Sequence, residues 1–434
     1  MHVYFSGIGG SGLAAMANLC LDLGYKVSGS DLESNENTTQ LLQRGATIFF
    51  SQNFQNLDTQ HRVRMIDWFV HTPAVRESNP EYQFCLKNNV QITKQNELIN
   101  FIVKDKGLKL IAVSGTHGKT TTTAMIVWLF KELKKEISWV VGSNINFGNS
   151  GSYEKGSEYL VYEADEYDRK LLKLNPDISL IASLDFDHPD TYTDLKDYNQ
   201  TFAQFLGQTR ELVCMWQEDY QKFDVVDIPS TVATIMPDAH SKEVKAEIDK
   251  IDLTGGLSRK NSYLATQVLS RILDLDKDKL FQLVAKFPGV QRRMEKLRDG
   301  LYSDYAHHTS EIEATLEMAT ELKRKEGFKK IITVYQPHQN IRQHSMLSKY
   351  ETCFDLADQV YWLPTYLTRE NPDLKVLTPQ DIIAQIKHSD KAKVVNLDDN
   401  LYNIVKEHLD NHNLVVFLGA GSIDKWFREY FLIN

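Results

Sequence analysis

Short apolar runs alternate with amphipathic segments from the start of this chain to its end. An apolar run at residues 3–5 is followed by a glycine turn, a helical pattern over 12–23 and a second strand pattern over 26–30. Strand-like runs recur at 47–50 and 67–70, and this first region ends with the apolar stretch 98–103. A strand, helix, strand order of this kind predicts a parallel sheet covered by helices.

The middle region repeats the same alternation. An apolar run at 108–113, typical of a strand buried in a parallel sheet, leads into a second glycine-rich loop. The pattern between 218 and 254 is mixed and predicts no definite element. The remaining predicted elements are helices at 121–134, 198–206 and 261–273 and strands at 159–163 and 178–184.

A third region alternates again after the turn-forming residues 287–290. Its predicted elements are helices at 310–326 and 380–387 and strands at 330–335, 359–363, 393–395 and 414–418. A chain of 434 residues suggests about three domains at ~100–200 residues each. We therefore expect an α/β protein of three domains with mostly parallel sheets, at 1–106, 107–296 and 297–434.

Composition and charge narrow the range of partners. Hydrophobic residues make up 42% and charged residues 25%, as in globular proteins, and the formal net charge is −9. Interspersed charges of both signs give no long-range attraction to nucleic acid or to anionic membranes. Any anionic ligand must therefore be held by local contacts.

Cysteine usage and hydropathy indicate a cytoplasmic protein. The four cysteines lie far apart with no CxxC pair, so neither a zinc site nor a disulfide framework is indicated. The N-terminal strand follows Met1 without a basic leader, and no run reaches the ~18 apolar residues that a membrane span needs. We expect no membrane insertion.

The first glycine loop has a dinucleotide-type pattern. Residues 7–12 read GIGGSG between a strand and a helix, where backbone amides can hold a diphosphate. Asp31 follows at a strand end, where a ribose-binding acid is expected. Taken alone, this loop suggests a nicotinamide dehydrogenase, or a tight turn without a ligand. In its context a nucleotide of some kind is favoured.

The second glycine loop predicts an ATP site and a central domain (107–296) of P-loop ATPase type, between Rossmann-like N-terminal (1–106) and C-terminal (297–434) domains. Residues 115–120 read GTHGKT, a spacing shorter than that of the usual phosphate loop but placed between an apolar strand and a helix. Small residues allow the backbone amides to wrap phosphates, while Lys119 neutralises β/γ oxygens and the Thr120 hydroxyl can bind Mg²⁺.

Two acidic clusters follow in the same region. Residues 163–166 read EADE and residues 185–188 read DFDH, each at the end of an apolar run. Carboxylates at the carboxyl ends of parallel strands point into the crevice where ligands of α/β sheets bind. Together they predict a magnesium-nucleotide site, although either cluster alone is more typical of a solvated loop.

In combination these motifs resemble the Mur ligases, the ATP-dependent amide-forming enzymes of peptidoglycan precursor synthesis. The resemblance runs from Gly7 to about Trp426. Its motifs are GIGGSG (7–12), TPAVRESNPE (72–81), GTHGKTTTT (115–123), EADE (163–166), FDHPD (186–190), GVQRRME (289–295), DYAHHTSEI (304–312), YQPHQNIR (335–342) and GAGS (419–422).

The resemblance implies a role for each matching residue. The implied UDP-sugar site comprises Gly9, Gly10, Ser11, Gly12, Ser30, Asp31 and Thr72. The implied ATP site comprises Gly115, Thr116, His117, Gly118, Lys119, Thr120, Thr121, Asn261, Arg293, Asp304 and His307. The implied magnesium ligands are Thr120, Glu163 and His188, and the implied catalytic residues are Lys119, Glu163, His188, His338 and Arg342.

The implied activity is ATP-dependent ligation of L-alanine, or another small amino acid, to UDP-N-acetylmuramate through an acyl phosphate. ATP and Mg²⁺ are the expected cofactors, and a monomer or weak homodimer is the expected state. The chemistry suits the residues, because a carboxylate is a poor acyl donor until it carries phosphate. Lysine, Mg²⁺ and arginine stabilise the charge that develops during that transfer.

At several positions the sequence departs from the family pattern, so the resemblance does not specify which amine substrate is used. Gln339 replaces the first arginine of the C-terminal Q-P-H-R-Y-x-R motif, and Leu257 and Ser258 replace a histidine and an asparagine near the adenine site. Residues 146–148 and 163–168 are closer to the recycling ligase that attaches an intact tripeptide. That ligase is the alternative within the family. An NAD-dependent oxidoreductase and a non-catalytic nucleotide-binding regulator are the alternatives outside it.

Overall fold

The computed structural model describes residues 1–368 and 370–432, whose strands form three sheets. The chain divides into two compact units, which we describe separately. The first comprises Met1–Asp185, Leu195–Ile251 and Asn261–Pro288, and the second comprises Phe186–Asp194, Asp252–Lys260 and Gly289–Asn434. Two of the sheets belong to the first unit and the third belongs to the second unit.

The first sheet is five-stranded and parallel throughout, in the order β3-β2-β1-β4-β5. Its strands are β1 (His2–Ser6), β2 (Lys26–Ser30), β3 (Thr47–Phe49), β4 (Trp68–His71) and β5 (Gln91–Thr93). The helices are α1 (Ser11–Asp22), α2 (Glu36–Gln43), α3 (Phe54–Val63), α4 (Pro80–Lys87) and α5 (Gln95–Lys106). Every residue of β1 is buried, as expected for the central strand of a sheet covered on both faces.

A buried carboxylate ties the central strands of this sheet together. Glu81 is fully buried and accepts hydrogen bonds from the hydroxyls of Tyr4 (2.8 Å), Ser6 (2.6 Å) and Ser30 (2.7 Å). Burial raises the pKa of Glu81, and the three hydroxyl donors act against that rise. The carboxyl ends of β1 and β2 are thereby fixed to α4.

The second sheet has seven strands in the order β12-β11-β10-β6-β9-β7-β8, parallel except for the pair β7 and β8. Its strands are β6 (Lys109–Ser114), β7 (Ser138–Val140), β8 (Gly151–Ser152), β9 (Tyr159–Glu163), β10 (Ile178–Ile181), β11 (Leu212–Met215) and β12 (Ala233–Ile235). The helices of this region are α6 (Lys119–Glu132), α7 (Leu195–Gly207), α8 (Gln217–Tyr220), α9 (Lys242–Asp249), α10 (Gly256–Leu273) and α11 (Lys277–Val284), with a 3₁₀ segment at Tyr167–Lys173.

The third sheet has six strands in the order β13-β14-β18-β15-β16-β17, with only β13 and β14 antiparallel. Its strands are β13 (Glu295–Arg298), β14 (Leu301–Asp304), β15 (Ile331–Tyr335), β16 (Gln359–Trp362), β17 (Ala392–Val394) and β18 (Leu414–Leu418). The helices are α12 (Thr309–Glu326), α13 (Asn340–Met346), α14 (Pro379–Ile383), α15 (Asp399–Asp410) and α16 (Ile423–Leu432), with 3₁₀ turns at Leu347–Tyr350 and Ser389–Lys391. Apolar clusters cover both faces of this sheet.

The predicted α/β class and the mostly parallel sheets are confirmed, while several element bounds differ. The strand predicted at 178–184 ends at Ile181, because the next residues bend to hydrogen-bond the second glycine loop. The predicted helix at 380–387 ends at Ile383, and α10 begins five residues earlier than predicted, at Gly256. The segment 218–254 contains α8, β12 and α9, which are too short to show a clear period. Within the described part of the chain, no helix has the length and apolar character needed to cross a membrane.

Helix α1, which begins directly after the first glycine loop, packs against the edge strand β8. An ideal Cβ placed on Gly151 would lie 1.9 Å from the carbonyl oxygen of Ala15, so only glycine permits this approach. The Ser152 hydroxyl also donates to the carboxylate of Asp22 at the end of α1, over 2.7 Å. The first sheet and the second sheet are thus in close contact within one unit.

We predict that Gly151→Ala lowers the free energy of unfolding by about 1–3 kcal/mol, since the added methyl group forces α1 away from β8. Urea denaturation of the purified protein measures the change. Gly256→Ala is the matched control, because a Cβ at Gly256 meets no atom within 4 Å. Equal unfolding midpoints for the two variants would contradict the packing argument.

Candidate active site

The second glycine loop connects β6 to α6 and has a conformation that requires glycine. Gly115 has a φ of +127°, and an ideal Cβ there would lie 2.6 Å from the backbone oxygen of Ser183. Residues with a side chain rarely adopt such a φ, and the contact with Ser183 leaves no space for a Cβ atom. The loop therefore approaches the end of β10 as closely as two backbones can.

Hydrogen bonds hold this loop in place. The backbone N–H of Thr116 donates to Ser183 O (3.0 Å), and that of His117 donates to Ser183 Oγ (3.0 Å). The Thr116 hydroxyl lies 2.5 Å from the backbone oxygen of Asp185 and 2.8 Å from the Tyr198 hydroxyl. A loop fixed by so many contacts is pre-formed for its ligand.

Lys119 begins α6, and its ammonium group turns back over the loop. Nζ donates to the backbone oxygens of Gly115 (2.6 Å) and Thr116 (3.1 Å) and pairs with the carboxylate of Glu166 at 2.9 Å. Burial acts to lower the pKa of Lys119, but the carboxylates of Glu166 and Asp165 outweigh it and raise the pKa. Lys119 is therefore a permanent cation. Glu166, which is fully buried, was not among the predicted site residues, although the EADE motif contains it.

The predicted magnesium ligands Thr120 and Glu163 lie in direct contact. The Thr120 hydroxyl donates to Glu163 Oε1 over 2.7 Å, and the backbone N–H of Gly142 donates to Glu163 Oε2 over 2.6 Å. A hydroxyl and a carboxylate beside a phosphate loop are the hard oxygen donors that Mg²⁺ prefers. This pair therefore fits a magnesium ion.

Asn261, predicted near adenine, lies against the same loop. An ideal Cβ on Gly118 would lie 2.7 Å from the carboxamide of Asn261. The Asn261 side chain is buried, and its Oδ1 accepts no hydrogen bond from residues 1–368 or 370–432. A buried amide oxygen without a donor is costly unless a ligand or water satisfies it. The contact of Asn261 with the nucleotide stays a prediction.

The first glycine loop is organised by its own polar side chains. The backbone N–H of Gly9 donates to Asp31 Oδ2 (2.7 Å), and Gly9 O accepts from the amides of Asn35 (3.2 Å) and Asn37 (2.9 Å). The Ser30 hydroxyl donates to Glu81. Of the predicted UDP-sugar residues, Gly9 and Asp31 thus bond to each other, while the Ser30 side chain bonds to α4.

The other predicted UDP-sugar residues line a cavity of about 310 Å³. Gly10, Ser11 and Gly12 contribute the start of α1, and Thr72 contributes the end of β4. The opposite lining comes from the second sheet and its loops: Val140, Gly142, Tyr162, Glu163, Asp165 and Lys170. Glu163 therefore faces this cavity and also contacts Thr120 of the phosphate loop.

The second unit holds His188 and Arg342 around Asp187. The Nε of Arg342 donates to Asp187 Oδ1 at 3.1 Å, and its Nη1 donates to Gln339 Oε1 at 2.9 Å. Burial acts to raise the pKa of Asp187, but His188 and Arg342 hold it well below its usual range. His188 itself has a φ of +59°, a strained backbone state that is found preferentially at functional sites.

Four further side chains of the same unit lie near this ion pair: His307, His338, Gln339 and Tyr366. The His307 ring lies 5.7 Å from the His338 ring, and His338 stacks on Tyr366 at 5.6 Å. Burial and the neighbouring Arg342 lower the pKa of His307 to about 4, so this ring is neutral. Gln339 is only 2% exposed, and its Nε2 finds no acceptor within the described part of the chain.

The remaining predicted ATP contacts, Arg293 and Asp304, lie near the start of the third sheet. The carboxylate of Asp304 accepts from the backbone N–H groups of Met294 and Ala306, each over 2.8 Å. Arg293 lies 3.7 Å from Glu311 and over the ring of Tyr305. Burial raises the pKa of Asp304 to about 6, although Arg293 and the two backbone donors oppose the rise.

Comparison with known families accounts for most of the chain. The model of the Mur ligase catalytic domain matches residues 2–106, the Mur ligase middle domain matches 113–251, and the glutamate ligase domain of Mur ligases matches 292–421. The chain belongs to the Mur ligase family, and it is an enzyme of the ligase class.

Particular relatives cover nearly its whole length. It is 30% identical to the UDP-N-acetylmuramate–L-alanine ligase of Thermosynechococcus vestitus, over 97% of this chain and 93% of the relative. It is 29% identical to the ligase of the same name from Desulfotalea psychrophila, over 97% and 96%. The crystal structure of UDP-N-acetylmuramate-alanine ligase from Thermotoga maritima superimposes with a TM-score of 0.77 at 25% identity, covering 100% and 99%.

The fold is shared more widely than the sequence. A murein peptide ligase from Psychrobacter arcticus superimposes with a TM-score of 0.68 at 20% identity, over 100% of this chain and 98% of that one. At that identity the likeness establishes the fold alone.

We predict that Glu166→Gln destabilises the protein, because it leaves the Lys119 ammonium group without its nearest counter-charge. A loss of about 3 kcal/mol in the free energy of unfolding is expected, the low end for a broken buried pair. Denaturant titration measures it. Glu158→Gln is the control, because Glu158 is 65% exposed and its substitution is expected to change the value by less than about 0.5 kcal/mol. Similar losses for both variants would refute the role of Glu166.

Asp304 gives a prediction for the dependence of stability on pH. Its pKa rises from 3.8 to about 6 on folding, so the folded chain binds the proton more tightly than the unfolded chain. Its contribution to stability is complete below the unfolded pKa and is lost as the pH rises through about 6. We expect the wild type to lose stability relative to Asp304→Asn between pH 4 and pH 6 in thermal denaturation. Parallel pH profiles would contradict this assignment.

Proposed function

We propose that this chain is an ATP-dependent, ADP-forming ligase that joins an amino acid, L-alanine in the first instance, to UDP-N-acetylmuramate. The observation that carries the proposal is the position of Glu163. Its carboxylate contacts Thr120 of the phosphate loop and also lines the cavity that begins at the first glycine loop. The Glu163 carboxylate would therefore lie between the bound ATP and the bound sugar substrate.

The first step proposed is phosphoryl transfer. A carboxylate oxygen of the muramoyl group attacks the γ-phosphorus of ATP, the bond to the β,γ-bridging oxygen breaks, and an acyl phosphate and ADP result. Lys119 stabilises the charge on the transferring group, since it is a permanent cation fixed over the loop. Thr120 and Glu163 would hold Mg²⁺, which supplies Lewis-acid stabilisation of the phosphate oxygens.

The second step is attack by the amine. The uncharged amine adds to the acyl carbon, and the tetrahedral intermediate expels phosphate, which takes up the proton that the nitrogen loses, to leave the amide. Arg342, His338 and His307 are the proposed residues at this end of the reaction, and the second unit holds them as one cluster. The acyl phosphate must be protected from water during this step.

One observation favours the alternative ligase, which uses a tripeptide as its amine substrate. Gln339 places a neutral, buried amide where the family motif has an arginine, so a free α-carboxylate meets one guanidinium fewer. An amine substrate whose first carboxylate is already in a peptide bond needs less charge there. Family membership favours either ligase over the oxidoreductase reading of the first loop.

Phosphate release from ATP tests the proposed function. We expect release only when UDP-N-acetylmuramate, Mg²⁺ and an amine substrate are all present, with a panel of amino acids and the tripeptide identifying the amine. Reaction with L-alanine supports the first proposal, and reaction with the tripeptide alone supports the alternative. Absence of release with every amine would refute the ligase proposal.

We predict that Lys119→Met lowers kcat by at least about a hundredfold, since one stabilising charge in the transition state is lost. Binding of UDP-N-acetylmuramate, measured by calorimetry, is expected to stay within about twofold of wild type. Lys131→Met on the same helix is the control for charge removal. Equal loss of sugar binding and of turnover would indicate misfolding or a wrong site.

A further inference from the structure

The cavity beside Glu163 contains a cation that neither the sequence motifs nor the proposed mechanism has used. Lys170 lies in the 3₁₀ segment Tyr167–Lys173, lines the cavity, and has a side chain only 10% exposed. Lys94 lines the same cavity but is 36% exposed. A buried lysine that faces a cavity is expensive to desolvate unless it meets negative charge there.

Contacts from several directions fix Lys170. Its Nζ lies 2.5 Å from Asp165 Oδ2 and 5.7 Å from the centre of the Tyr167 ring. Its backbone oxygen accepts from Asn96 Nδ2 over 2.7 Å, and Asn96 Oδ1 in turn accepts from the Tyr162 hydroxyl. The ammonium group is therefore held at the cavity wall instead of extending into solvent.

The backbone before Lys170 is strained in the same place. Asp168 and Arg169 are consecutive non-glycine residues with φ values of +57° and +51°. Their side chains hold that geometry, because Asp168 pairs with Lys94 while Arg169 donates to Asp197 (2.6 Å) and Thr201 (2.8 Å). Strain that is maintained by specific contacts marks a position where the direction of a side chain matters.

The charges around the cavity determine what Lys170 can bind. Glu163 and Asp165 line the same wall, so an approaching carboxylate meets two like charges there. Lys170 is the buried cation beside them. On the opposite lining, the N-terminus of α1 offers backbone amides of the kind that hold diphosphates. The two ends of the cavity thus suit different anionic groups.

We propose that the Lys170 ammonium group binds the carboxylate of the sugar substrate and holds it beside Glu163 for phosphorylation. The inference rests on the proposed function and adds to it a residue that distinguishes an acidic sugar from a neutral one. Asp165 holds the Lys170 ammonium group in position before the substrate binds. Once the substrate is bound, Lys170 pairs with both the Asp165 carboxylate and the substrate carboxylate. Lys170 contacts the group that reacts, while the diphosphate is held elsewhere.

Two UDP-sugars that differ in their carboxylate test this assignment. UDP-N-acetylmuramate carries the lactyl carboxylate and UDP-N-acetylglucosamine lacks it. Dissociation constants are measured by calorimetry without ATP or Mg²⁺, so that no metal competes for the carboxylate. Where direct heats are small, displacement of UDP-N-acetylmuramate gives the second constant. The wild type is expected to prefer the acidic sugar.

Lys170→Met keeps the apolar stem and removes the charge. We expect binding of UDP-N-acetylmuramate to weaken about tenfold or more, with UDP-N-acetylglucosamine within twofold of wild type. Lys170→Arg is expected to restore much of the preference. Lys173→Met is the matched control, since Lys173 is an exposed lysine of the same segment, and it should change neither constant.

Three outcomes would overturn the inference. Equal weakening for both sugars would assign Lys170 to the diphosphate or to the fold, and unchanged binding of the acidic sugar would remove it from the site. A wild type that binds both sugars equally would show no recognition of the carboxylate. Failure of the proposed function is distinguishable, because the wild type would then release no phosphate with any amine.

Discussion

The two hydrogen bonds to the Glu163 carboxylate are the constraint on which the site depends. One oxygen accepts from the Thr120 hydroxyl and the other from the backbone of Gly142, so the acid is fixed between the phosphate loop and the cavity. Thr120 and Glu163 come from α6 and the end of β9, and β9 pairs with the strand that leads into the loop. The parallel register of β6 and β9 therefore brings the second glycine loop and the cavity lining together.

Ion pairs keep the lysine and arginine side chains of the site charged and in position. Lys119 is buried on the loop and keeps its proton because Glu166 lies 2.9 Å away, and Lys170 is held at the cavity wall by Asp165. Both acids belong to one short segment after β9. A single strand end therefore supplies the proposed magnesium ligand and the counter-charges of two lysines, which explains why so many acidic residues follow one another there. Within the second unit, Asp187 is the counter-charge of Arg342.

Much of this was predictable from local sequence. The second glycine loop, between an apolar strand and a helix, was predictable as a phosphate-type loop, because that conformation depends on small residues in fixed order. The longer parallel strands were predictable from their continuous apolar runs, whereas β7, β8 and β12 are too short to show a period. Glu166 was overlooked, since nothing in the EADE motif distinguishes the acid that pairs with Lys119 from the one that contacts Thr120. Binding of substrate by Ser30 and Asp31 stays a prediction; in the structure the Asp31 carboxylate accepts from Gly9 of the first glycine loop, and the Ser30 hydroxyl donates to Glu81.

Residue order along short stretches was enough to predict the α/β class, the two glycine loops and the resemblance to the Mur ligases. Tertiary structure decided which side chains meet. Gly151 permits α1 to approach β8, Asn261 lies on Gly118 from far along the chain, and Lys170 faces a cavity formed between two sheets. Contacts of this kind depend on distances between elements remote in sequence. No local pattern encodes them, since the same lysine on an exposed turn would be a solvated surface charge.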